Sequence, residues 1–339
     1  MSSYSDSHME NLSLKVICVI CLSGLLSYNT SFSQPQNDYL KANSFDISSQ
    51  VGPLSKEDFK IMGFGAYHGS AKTDETEIIL LDTLVNSQKI KYYLPETDFS
   101  LGHYFNQYIE SGDDTLLREL VFQYGKRVPQ EESIECYNKW EKLREIFRSQ
   151  AKDDQILVIG IDAIYSYAFT AKHLLSIIGA KHSDYQSFRK LNDLYHSPSK
   201  FDDLSKNELF DIFKECLEEY EQNESDFLSF TTDKYALIHI MDNIRDIINK
   251  KNRESIIFEN YVRLMPIYDF EIKPQFARFG FFHLLKSRDC QYPSFFTLLI
   301  ENNIYYSEEI ITIMGYLSKS RVLWDMKYSP NGHAKIRIW

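Results

Sequence analysis

The stretch Phe59-Lys60-Ile61-Met62-Gly63-Phe64-Gly65-Ala66-Tyr67-His68-Gly69-Ser70 is an apolar run that breaks into glycines and delivers a histidine. It reads as a first β-strand followed by a turn. In an open parallel α/β sheet, ligands bind beyond the carboxyl ends of the strands, where such a turn presents side chains and backbone N–H groups. His68 falls there, and an imidazole titrating near neutrality serves at such a place as general base, acid or metal ligand. The plainer account is a glycine turn that happens to carry a histidine. Gly63-x-Gly65 after a strand also opens like a dinucleotide fingerprint, but the third glycine position, needed for close helix–strand packing, holds His68. The acidic residue expected about 20 positions on should end the second strand, and the carboxylate that does so, Glu96, comes 31 after Gly65. A nucleotide site is therefore not expected.

Working outward, three further stretches have strand character. Lys89 to Leu94 runs into Pro95-Glu96, and Gln155 to Asp162 is nearly continuously apolar, as expected for a strand covered on both faces. The last, Gln275 to Phe282, arrives at His283. Helical patterns separate them. Thr73 is placed to cap a helix with Asp74, Glu75 and Glu77 in its first turn and Ile78, Leu81 and Val85 on its buried face. Leu101, Phe105, Tyr108 and Ile109 mark a second helix ending at Gly112, and Asp113 and Asp114 read as solvated loop residues. Ile134, Tyr137, Leu143 and Phe147 mark a helix near 131–149. From about 183 to 265 the pattern is wholly helical, with a capping box at Ser205-x-x-Glu208, and reads as a helical insertion over the sheet. A last helix is expected near 307–319, and the alternation of Ala334, Ile336 and Ile338 suggests a terminal edge strand. The fold class is α/β, a mostly parallel sheet flanked by helices with a helical insertion.

Composition narrows the functional classes. With 43% hydrophobic and 25% charged residues the 339-residue chain is an ordinary globular one. Its net charge, 37 − 48 = −11, argues against a nucleic-acid or anionic-membrane partner, and a small-molecule substrate is expected instead. Val16 to Leu26 is an apolar core behind Lys15, followed by Ser31-Phe32-Ser33. That is the layout of a secretory signal over residues 1–33, cleaved near Ser33, and it is shorter than the roughly 20 residues of a membrane span. A secreted or periplasmic location follows, with an uncleaved N-terminal anchor as the alternative. Residues 34–58 read as a linker and 59–339 as a single domain. Cys136, Cys216 and Cys290 show no CxxC spacing, so neither a disulfide framework nor a cysteine metal site is implied.

His68, Glu96, Asp162 and His283 each fall at or just past the carboxyl end of an expected strand, and right-handed crossovers would bring those ends to one edge of the sheet. A His68 held by a carboxylate, for which Glu96 is the candidate, is able to take a proton from water attacking a carbonyl, with His283 binding the oxyanion or protonating the leaving alkoxide. Alternatively His68, Glu96 and His283 are ligands of a divalent metal whose bound water attacks. Each residue also has a structural account: a helix cap for Asp162, a surface pair for Glu96, a half-buried ring for His283. No HExxH, GxSxG elbow, Walker loop or zinc ribbon occurs.

Gly65-Ala66-Tyr67-His68-Gly69-Ser70, Leu94-Pro95-Glu96-Thr97-Asp98-Phe99-Ser100, Asn106-x-Tyr108-Ile109-x-x-Gly112 and Gly160-Ile161-Asp162 together resemble the erythromycin esterase family within the Tiki-type hydrolase superfamily. The helix from Arg253-Glu254 to Asn260 and the strand reaching His283 are similar to that family's later blocks. The resemblance implies an α/β hydrolase-like domain that cleaves an ester or lactone, with His68 activating water and Glu96 lining the cleft. Gly65, Ser70, Asn106 and Asp162 become substrate-facing or supporting candidates. Family members open macrolide lactones, and Tiki-type relatives are metal-dependent proteases with a Gly-x-x-His signature that Gly65 and His68 satisfy. Two departures stand out. Ala66 occupies a position where the family usually has glutamate, and Gly280 replaces the first histidine of a late His-x-x-His pair, leaving His283. A catalytically degenerate small-molecule-binding protein and a metal-dependent peptidase are the rival readings.

Overall fold

A computed structural model describes residues 58–65, 67–87, 90–197, 206–315, 321–325 and 335–338. The expected signal segment, nearly all of the linker, Ala66 and Ser205 lie outside the described residues.

Five parallel strands form the sheet: β1 (Ile61–Gly65), β2 (Tyr92–Pro95), β3 (Leu157–Val158), β4 (Gln275–Phe279) and β5 (Ile310–Met314), in the order β3-β2-β4-β1-β5. The chain leaves β1 and β2 toward the β3 edge but leaves β4 toward the β5 edge. Connections that part in opposite directions open a crevice at the carboxyl ends of the strands between them. That crevice is centred on β4. Gly65 pairs with Phe279 and Pro95 with Arg278, so the turns that follow β1, β2 and β4 leave the sheet at one level.

Eleven helices flank this sheet among the described residues: α1 (Ala71–Asn86), α2 (Phe99–Ser111), α3 (Asp114–Arg127), α4 (Ile134–Arg148), α5 (Tyr167–Ile178), α6 (Gln186–Tyr195), α7 (Lys206–Gln222), α8 (Glu224–Phe230), α9 (Lys234–Ile248), α10 (Arg253–Tyr268) and α11 (Phe295–Glu301). Two of the apolar clusters among the described residues hold the layers together. Leu94, Ile161, Tyr261, Phe279 and Phe296 pack the sheet against α10 and α11, while Leu174, Phe188, Phe213, Leu237 and Ile244 hold α5 to α9 together. None of these helices is long and apolar enough to cross a membrane. A separate antiparallel pair, β6 (Arg321–Asp325) and β7 (Lys335–Ile338), includes Ile336 and Ile338 of the terminal alternation, whose Ala334 lies outside the described residues.

Several local expectations change. Helix α1 begins at Ala71 behind Ser70, and Thr73 lies buried inside it. Glu77 is fully buried on its inner face because a buried lysine lies opposite it. Asp113 and Asp114 belong to a helix: the Asp113 carboxylate accepts the N–H groups of Thr115 and Leu116, and Leu117, Leu120, Val121 and Tyr124 form its buried stripe. In α4 the buried face is Cys136, Lys139, Trp140, Leu143 and Phe147, so Ile134, 64% exposed, points outward. Of the 155–162 stretch only Leu157–Val158 form the edge strand, with Leu157 exposed, and a parallel bridge between Asp98 and Asp162 lies beyond it. Within the expected 307–319 helix, residues Ile310–Met314 are instead strand β5, since β-branched Ile310, Ile311, Thr312 and Ile313 suit a half-buried edge beside β1. Of the expected helix only Ser307–Glu309 are helical among the described residues, as a single 3-10 turn, and the α-helix before it ends at Glu301.

Candidate active site

The turn after β1 carries His68, β2 delivers Glu96, and the segment after β3 supplies Asp162. Arg127 closes α3, and the Pro129–Glu131 3-10 turn that Pro129 starts behind it carries Glu131. Arg253 and Glu254 open α10, and His283 sits in the Phe281–Leu284 turn after β4. His68, Glu96, Arg127, Asp162, Arg253 and His283 line one cavity of about 500 Å³, whose walls include Tyr67, Tyr165, Phe281 and Phe282.

Glu96 stands between the two histidines, of which His68 hydrogen-bonds a carboxylate through Nδ1 while His283 Nδ1 is close to one without hydrogen-bond geometry. Nδ1 of His68 is 2.6 Å from Glu131 Oε1 and its Nε2 is 3.5 Å from Glu96 Oε2. Nδ1 of His283 is 2.6 Å from Glu254 Oε1 and its Nε2 is 3.8 Å from Glu96 Oε1. Burial alone would lower both imidazoles, but the carboxylates beside them outweigh it and raise both above 6.5. Glu96 is 3% exposed and accepts from Arg253 Nη2 at 2.6 Å, Arg127 Nη2 at 3.1 Å and the Gly280 N–H at 2.7 Å. Burial pushes its carboxyl up, and His68, Arg127 and His283 together bring it well below the usual range. Asp162, fully buried, accepts from Arg253 Nε at 3.0 Å and Nη2 at 2.8 Å, from the Ala163 N–H at 2.7 Å, and pairs with Arg127. Burial pushes it up to about 6 against the pull of Arg127.

Behind His68 lies a buried ionic layer. Arg278 Nη2 donates to Glu131 Oε1 at 2.9 Å, and Lys139 Nζ lies 3.1 Å from Asp74, 3.3 Å from Glu77 and 3.9 Å from Glu131. Burial opposes the charge on Glu131, yet Arg278, Lys139 and His68 hold its carboxyl well below the usual range.

The sequence-derived candidates separate on this geometry. His68, Glu96, Asp162 and His283 meet at the cavity; the carboxylate on His68 Nδ1 is Glu131, while Glu96 stands between the histidines. Asn106 is elsewhere: its amide spans the backbone of Val158, accepting that N–H at 2.8 Å and donating to that carbonyl at 2.7 Å, which pins α2 to β3. Ser70 is buried at the start of α1 with an unpartnered hydroxyl. Gly65 is a point of close approach, where a Cβ would lie 2.7 Å from Phe281 Cα. At Gly280 a Cβ would stand 3.6 to 3.9 Å from His283, Glu96 and His68, so the missing side chain leaves the floor between the histidines open. Glu131, Arg127 and Arg278 were not anticipated. Arg278 had a signal, a charge inside an apolar strand, and so did Lys139, on the inner face of a helix between Cys136 and Leu143. Glu131 had none.

The donors do not fit a metal. Among the described residues no group of three or more His, Cys, Asp or Glu is placed to hold one. Both Glu96 oxygens already accept from guanidinium or backbone N–H groups, and Arg127 and Arg253 would oppose a divalent cation there.

This geometry defines an α/β protein whose crevice joins two carboxylate-bound histidines to two paired arginines. Among solved structures, the chain is similar to a Bacillus cereus protein at 15% identity and TM-score 0.56, covering 86% of this chain and 74% of that one. It is also similar to a succinoglycan biosynthesis protein at 14% identity and TM-score 0.51, covering 78% and 68%. A mutant erythromycin esterase in its open conformation matches at 12% identity and TM-score 0.50, covering 88% and 80%. At these identities the likeness is one of fold, a distant structural relationship. No family model matches the sequence. No curated protein matches it either.

Proposed function

We propose that the chain is a hydrolase that cleaves a carboxylic ester or lactone with water activated by His68. The observation that supports this most is the pair of histidines, each with Nδ1 2.6 Å from a carboxylate and with Nε2 turned toward Glu96 at the cavity. Neutral His68 takes a proton from water on Nε2 as the water oxygen bonds to the carbonyl carbon. When the tetrahedral intermediate collapses, the C–O bond to the leaving group breaks and protonated His283 supplies a proton to the alkoxide. Arg253, with 39% of its side chain exposed, is the guanidinium open to a developing oxyanion. Arg127 and Arg253 are balanced by Glu96 and Asp162, so the site suits a neutral carbonyl substrate. The signal-like N-terminus adds a secreted or periplasmic setting to this reading.

A panel of activated esters and macrocyclic lactones, incubated with the chain and with its His68→Ala variant, tests it. General-base loss should lower the rate by roughly a hundredfold or more. Absent turnover, or equal rates in the two proteins, refutes the assignment; a panel member bound and recovered unchanged favours a binding protein.

A further inference from the structure

Nδ1 of His68 is contested. Glu131 Oε1 approaches it at 2.6 Å and Arg278 Nη1 at 3.1 Å. The two make opposite demands, since a carboxylate only accepts and needs hydrogen on Nδ1, whereas a guanidinium only donates and needs a lone pair there. A neutral imidazole carries hydrogen on one nitrogen. If Glu131 at 2.6 Å prevails over Arg278, and over Glu96 Oε2, a more distant acceptor 3.5 Å from Nε2, then Nε2 presents its lone pair to the cavity; otherwise Nε2 carries the hydrogen and is no longer a base.

Glu131 prevails only while it is ionised, and it is 2% exposed. A buried carboxylate keeps its charge only when other groups compensate it. The contacts from Arg278 Nη2 and His68 both fall on Oε1, while Oε2 faces Lys139 Nζ at 3.9 Å. That is beyond hydrogen-bond distance, so Lys139 acts on Glu131 as a charge. Lys139 is itself 2% exposed, held by Asp74 and Glu77 of α1. The layer therefore sets three acids, Asp74, Glu77 and Glu131, against Lys139 and Arg278. Around them lie Tyr93, whose hydroxyl donates to Glu77, together with Tyr124 and Cys136. Without Lys139, one guanidinium would face three carboxylates in the interior, and protonation of Glu131 would release Nδ1 to Arg278.

We propose that Lys139 is a positioning residue for His68: by holding Glu131 ionised it keeps the His68 proton on Nδ1 and leaves the Nε2 lone pair to the cavity. The use of that lone pair rests on the reading of His68 as a base, but the tautomer itself is measurable without substrate.

The experiment is nitrogen NMR of the chain with ¹⁵N-labelled histidine, at a pH where His68 is neutral, its signals assigned by their loss in His68→Ala. The parent should show Nδ1 protonated and Nε2 bare. In Lys139→Met the pattern should reverse. A parent with hydrogen on Nε2, or a Lys139→Met protein that keeps the parental tautomer, overturns the proposal. Should Lys139→Met fail to fold, Asp74→Asn at the edge of the layer frees Lys139 from one competing acid, and the His68 Nδ1–H resonance should move as Glu131 becomes a weaker acceptor. A resonance unmoved there overturns it equally. Absence of esterase turnover would count against the proposed reaction alone, whereas an unchanged tautomer would count against Lys139 alone.

Discussion

Arg127 and Arg253 grip the same two carboxylates, yet their removal should have unequal consequences. The Arg127 side chain is 8% exposed and lies between Glu96 and Asp162, themselves 4% and 0% exposed. At an effective dielectric of about 20, a pair 3.1 Å apart attracts by about 5 kcal/mol, and breaking a buried pair from one side usually costs about 3–5 kcal/mol because an unpaired charge stays behind. Arg253 makes contacts of similar length but is 39% exposed, so water takes over much of its role and the cost should be about 1 kcal/mol. In a chain of this size about 1 kcal/mol corresponds to roughly 2 °C in melting temperature. Arg127→Met should therefore melt about 6–10 °C below the parent and Arg253→Met only about 2 °C below. Thermal unfolding followed by circular dichroism measures both. Adding Asp162→Asn to Arg127→Met should recover part of the loss, because it removes a stranded charge. An Arg253→Met protein that melts as low as Arg127→Met, or a double variant with no recovery, would refute the claim that burial sets these energies.

Further outcomes follow from the geometry. His68 has its pKa raised above 6.5 and works as a base when neutral, so kcat/KM should fall as pH drops through that raised value, and Glu131→Gln should shift this acid limb to lower pH; a pH–rate profile with its limb at or below 6.5 contradicts this. The same shift makes protonated His68 stabilising, an effect complete below the ordinary pKa of 6.5 and lost as pH rises through the folded one. Gly160→Ala would drive a Cβ into the Asp98 carbonyl at the β2–β3 junction and should cost about 3 kcal/mol in urea unfolding. Asn106→Ala removes both hydrogen bonds to Val158 and should cost about 1–3 kcal/mol while leaving ester turnover unchanged, because Asn106 lies outside the cavity; a large fall in kcat would return it to the site.

Local pattern made much of the architecture legible. Ile61–Gly65 and Gln275–Phe279 are short apolar runs closed by glycine, and Leu101, Phe105, Tyr108 and Ile109 repeat at helical spacing up to Gly112, which caps the helix at φ 69°. Where pattern misled, tertiary contacts had overridden it. Ile310–Met314 falls inside an expected helix, yet its β-branched residues become a strand because the edge of β1 is there to pair with. Glu77 looks like a solvated helix charge until its helix packs against α4 and buries it with Lys139.

What the sequence by itself determined is the alternation of strands and helices, the parallel sheet this implies, and the delivery of His68, Glu96, Asp162 and His283 to strand ends, because periodicity and glycine turns act over a few residues. Only the tertiary structure decided which charges meet. Glu131 reaches His68 across 63 residues and Arg253 reaches Glu96 across 157. No local pattern records such distances, since ion pairing inside a protein depends on which side chains the packing has taken out of water together.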